Sequence, residues 1–126
     1  MGTLSVESRK PMLATGKIIS DYRPLIKYLE VAGEEERNKV LPKGSDIELV
    51  RVLLEQGYGT VDEMLNQIIR VVKNRFNPEL SRRVIREVLN IEIEEEEAVN
   101  HLSKLLAGWI IEMAEQLGVI RLKSAW

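Results

Sequence analysis

EEEEAVNHLSKLLAGWIIEMAEQL, residues 94–117, decides the fold. Ala98, Val99, Leu102, Leu105, Leu106, Trp109, Ile110, Met113, Ala114 and Leu117 recur at the 3.6-residue spacing of a helix, so the stretch predicts a long core helix with Trp109 inside. Ile111 lies off that stripe, which widens the apolar surface beyond what a surface helix needs and calls for other helices on two sides. The four glutamates at its head sit where the macrodipole is positive, so they are read as a solvated first turn rather than as cation ligands.

Beyond the long helix, Gly118 is the expected terminator, and Val119, Arg121 and Lys123 then alternate with Ile120 and Leu122 as a strand does. Residues 119–126 are therefore expected to pair as a short terminal strand or to pack as a tail, against the N-terminal arm or a second copy of the chain.

Before the long helix, Asn77 and Pro78 mark a helix start, because the asparagine caps and a proline at the first position gives up an amide that has no partner anyway. Leu80, Val84, Ile85, Val88 and Leu89 face inward there, with Arg82, Arg83 and Arg86 outside. Thr60 with Glu63 forms a capping box, and Val61, Met64, Leu65, Ile68, Ile69, Val72 and Phe76 trace the stripe that follows. Gly57, Tyr58 and Gly59 break the chain ahead of it. Ser45 with Glu48 reads as a second capping box, over a face of Ile47, Val50, Leu53 and Leu54.

Residues 34–40 suggest a short acid-led helical piece after Gly33. From Lys17, the positions Ile18, Tyr22, Leu25, Ile26 and Leu29 share one helical face, with Ser20 as the expected cap and Pro24 in the first turn. The expected organisation is an arm at 1–16, an all-α domain of four or five helices at 17–118, and the tail at 119–126.

At 126 residues, with 44% hydrophobic and 30% charged side chains, the chain has globular composition for one domain. There is no cysteine and one histidine, His101, which excludes thiolate chemistry and leaves too few imidazoles for an ordinary zinc site. His101 falls at the edge of the apolar stripe and reads as a boundary or surface residue. No signal peptide or membrane span is visible, and the cysteine-free composition suits the cytoplasm. The richness in Glu, Lys, Arg, Ile and Val resembles thermophile composition. Phosphate loops, dinucleotide fingerprints, nucleophile elbows and zinc-protease motifs are missing, so the expectation is a non-enzyme with no cofactor, no metal and no small-molecule substrate.

The anomaly is charge. Residues 70–86 carry six bases (Arg70, Lys73, Arg75, Arg82, Arg83, Arg86) against Glu79 alone, and residues 87–97 carry six acids and no base. Either the two blocks neutralise each other, or the arginines contact phosphate, for which their planar fork is suited. The helices flanking Gly57 to Gly59 have helix-turn-helix proportions, but Asp62 and Glu63 at the head of the second would repel phosphate there.

The expected function is nucleic-acid binding, DNA or RNA, by backbone charge and single-strand stacking rather than base reading. Arg70, Lys73, Arg75, Arg82, Arg83 and Arg86 share one face in that reading, and Tyr58 or the terminal Trp126 is available for stacking. The alternative is a helical protein-interaction module or homodimeric adaptor with no nucleic-acid role.

Overall fold

The computed structural model describes residues 21–120. Among them are six α-helices and no strand: α1 (Arg23–Val31), α2 (Glu34–Val40), α3 (Gly44–Glu55), α4 (Val61–Val72), α5 (Pro78–Leu89) and α6 (Glu95–Gln116), with a 3₁₀ turn at Lys73–Arg75 between α4 and α5. This is the all-α bundle expected, five helices of nine residues or more and the seven-residue α2. None of the described helices is long and apolar enough to cross a membrane.

The long helix is the centre. α6 packs against α1, α3, α4 and α5, and Leu102, Leu106, Ile110 and Ala114 along it are wholly buried. Cover from two sides reaches Ile111, Ser103 and Gly108 as well. Trp109 and Met113 depart from expectation, since both are only half-buried. Trp109 lines a pocket left between α1 and α6. Leu117, past the end of the helix, is 66% exposed.

Helix ends explain most of the boundaries. Thr60 Oγ1 accepts from the Glu63 amide at 3.2 Å while Glu63 Oε1 accepts from the Thr60 amide at 3.3 Å, the reciprocal box that was expected. Asn77 Oδ1 accepts from the Leu80 amide at 2.9 Å, and Pro78 takes the first position of α5. At the far end of α6 the amides of Gly118 and Val119 donate to the Glu115 and Ala114 carbonyls, which requires the left-handed φ of +78° at Gly118.

Two caps are corrected. α3 starts at Gly44, not after Ser45, and it is Asp46 Oδ2 that accepts from the Lys43 amide at 2.8 Å. Glu48 instead pairs with Arg51. α1 starts at Arg23 with Pro24 in its first turn, and Asp21 Oδ1 accepts from the Arg23 amide at 3.1 Å. Ser20, the expected cap, lies outside the described residues. Ile26, counted as inward, is 53% exposed, and α4 ends at Val72, so that Phe76 reaches the core from extended backbone. Phe76 meets Tyr28 edge-on at 5.1 Å between ring centres. The expected terminal strand lies largely outside the described residues; within them, Val119 packs against the core and Ile120 is buried.

Candidate nucleic-acid interface

Periodicity places two pairs of side chains opposite one another. On α4, Asn66 and Arg70 stand one turn apart, and on α6 Asn100 and Lys104 do the same, because residues four apart share a helix face. The two helices pack together, and these four side chains line a groove of about 680 Å³ with Leu65 and Ile69 at its apolar base and Asp62 at one end. A second groove, of about 530 Å³, shares Asn100 and continues past Lys73 and Asn74 toward Glu95 and Glu96. The helices thus run antiparallel, with the carboxylates at the two extremities and the cations between them.

The six bases singled out in the sequence do not act together. Arg75 is committed to Asp46, with Nη2 to Oδ1 at 2.6 Å and Nη1 to Oδ2 at 3.0 Å. Arg82 and Arg86 both approach Glu92, at 3.7 and 3.9 Å. Glu79 and Glu87 are exposed on the same outer side of α5, so the ridge formed by Arg82, Arg83 and Arg86 is balanced by three carboxylates. The acid that answers the ridge is therefore Glu92 in the connecting loop. Of the acidic helix head, Glu95 and Glu96 lie instead beside Lys73.

Of the six, Arg70, Lys73 and Arg83 have no ion pair among the described residues, and neither does Lys104 on α6. Arg70 and Lys104 line the first groove, and Lys73 lines the second. Lys104 was missed in the sequence because it sits alone on a helix headed by acids; the signal that could have found it is Asn100 one turn earlier, on the polar flank of the apolar stripe. His101 is exposed, as expected. Partial desolvation, then the neighbouring charge of Lys104, lower its pKa against a smaller opposing pull from Asp21.

Tyr58 follows the left-handed Gly57, whose φ is +103°, and packs partly buried against the core. Trp126 lies outside the described residues. Among those described, no group of three acidic, imidazole or thiol side chains is placed to hold a metal ion. No family model matches the chain, and no curated protein or solved structure does either.

Proposed function

We propose that the protein binds nucleic acid through its sugar-phosphate backbone, in the groove between α4 and α6. The observation that carries this reading is the pair Arg70 and Lys104, two cations without carboxylate partners on opposite walls of one groove. Paired cations already have their counterion, whereas these two release small ions when phosphate arrives, which is the driving term in polyanion binding. Asn66 and Asn100 offer carboxamides that hydrogen-bond phosphate or sugar, and Lys73 extends the basic track. No aromatic ring lines the 680 Å³ groove, so contact by charge is favoured over stacking or base reading.

The test is fluorescence polarisation of labelled single-stranded and duplex oligonucleotides over a salt series. Wild-type binding should weaken steeply with salt, and replacing Arg70 and Lys104 by Ala together should flatten the log–log slope by about 1.4 for single strands. No binding at low salt ends this reading.

The second reading, a protein-interaction module or homodimer, draws on apolar side chains left in water, Val71 at 48% and Leu117 at 66% exposure. Sedimentation velocity across a concentration series tests it, and a concentration-independent monomer argues against the homodimer.

A further inference from the structure

On the side of α6 away from the basic groove, α1 and α6 leave a pocket of about 330 Å³ between them. Tyr22, Ile26 and Leu29 reach it from α1 and its cap at one-turn spacing, with Leu25 beside them, and Trp109 and Glu112 reach it from α6. Its surface is almost wholly apolar, and its polar content comes down to two groups.

One is the Tyr22 hydroxyl, which is buried and makes no formed hydrogen bond. The other is the Glu112 carboxyl. The two interact, each shifting the other's pKa, and the remaining charge acting on Glu112 is the like-charged Glu115. Desolvation, then the Glu115 charge, raise the Glu112 pKa, and the Tyr22 hydroxyl only partly offsets them. No cation among the described residues forms an ion pair with it.

Nothing in the packing of the bundle needs an acid there, since an aliphatic side chain would fill the same wall without desolvating a carboxylate. A carboxylate beside an indole, with a buried hydroxyl that lacks a hydrogen-bond partner, is complementary to a protonated nitrogen carried on an apolar body. The volume selects the size of that body. It lies at the low end of small-molecule sites and is too small to seat a helix.

We propose that this pocket binds a small apolar amine, its hydrocarbon body among Leu25, Ile26, Leu29 and Trp109 and its ammonium donating to the Glu112 carboxylate and the Tyr22 hydroxyl oxygen. The site is separate from the basic groove and does not depend on the nucleic-acid reading.

The experiment uses the full chain carrying Trp126→Phe, which leaves Trp109 as the sole indole, since the chain has two tryptophans. Phenethylamine, its neutral analogue 2-phenylethanol and its acidic analogue 3-phenylpropionate are each titrated at pH 7, with Trp109 emission and ligand-observed NMR as readouts. Phenethylamine should give a saturable change, 2-phenylethanol should bind about tenfold or more weaker, and 3-phenylpropionate should not bind. Glu112→Gln, which keeps the side-chain volume, should cost phenethylamine the same factor while the fold, checked by circular dichroism, is unchanged. Tyr22→Phe is the second variant and should cost a smaller factor. Equal binding of amine and alcohol, undiminished binding by Glu112→Gln, or no saturable signal for the amine in the tens-of-millimolar range each overturns the proposal.

Discussion

Arg75 grips Asp46 with both terminal nitrogens across 29 residues of sequence, and the same carboxylate receives the Lys43 amide that opens α3. One acid thus fixes the start of a helix and the position of the 3₁₀ turn. Asp46 is 3% exposed, so removing its partner strands a charge, and Arg75→Ala should cost about 3 kcal/mol, the low end for a buried pair because the Arg75 side chain keeps some contact with water. Burial alone would raise the Asp46 pKa, but the Arg75 guanidinium and the Lys43 amide outweigh it and hold the group below the ordinary carboxylate range. A depressed native pKa contributes stability that is complete above about pH 4 to 5 and is lost as pH falls through the native value. Urea midpoints from pH 7 down to pH 3 should therefore converge for wild type and Arg75→Ala.

The two capping boxes expected from sequence should separate on mutation. Thr60→Ala removes a formed cap and should lower stability by about 1 kcal/mol. Ser45→Ala, at an exposed position that caps nothing, should stay within about 0.5 kcal/mol of wild type. Thermal melts of the two variants side by side decide it, and equal losses would restore Ser45 as a cap.

Leu106 is wholly buried at the middle of α6, the helix against which four others pack. Leu106→Ala should cost about 2 to 5 kcal/mol in chemical denaturation, as core truncations do. A loss under about 1 kcal/mol would mean that α6 is peripheral.

The balanced ridge and the unpaired groove make opposite claims on the same assay. Replacing Arg82, Arg83 and Arg86 together by Ala should reduce oligonucleotide affinity less than replacing Arg70 and Lys104, even though three charges are lost instead of two. Stability should hardly move, because the Arg82 and Arg86 contacts with Glu92 are long and exposed. A larger binding loss from the α5 triple would return the interface to the ridge.

What was legible in the sequence is what the chain decides locally. The long helix, the Thr60 box, the Asn77-Pro78 start and the Gly118 stop depend on residues within a few positions of one another, and all four stand in the structure. The cap of α3 was misread because the box lies two residues earlier, between Lys43 and Asp46, whose carboxylate also holds Arg75 from 29 residues away. Trp109 packs against the core but is only half-buried, because periodicity gives a direction and not how fully a neighbouring helix covers it. The basic block was read as one surface, yet the 3₁₀ turn and the Asn77-Pro78 corner send Arg75 inward and leave Arg82 and Arg86 beside Glu92. Lys104, on the other wall of the candidate groove, comes from a helix that charge counting marks as acidic.

The Tyr28 hydroxyl accepts the Asn77 amide at 2.9 Å, joining α1 to the corner that opens α5 across 49 residues. That amide belongs to no helical ladder, so its bond to Tyr28 shields it from solvent deuterium while α1 is seated on the bundle. Its hydrogen-exchange rate is a single-atom gauge of how often α1 lifts away, read independently of the global unfolding that the α6 amides report.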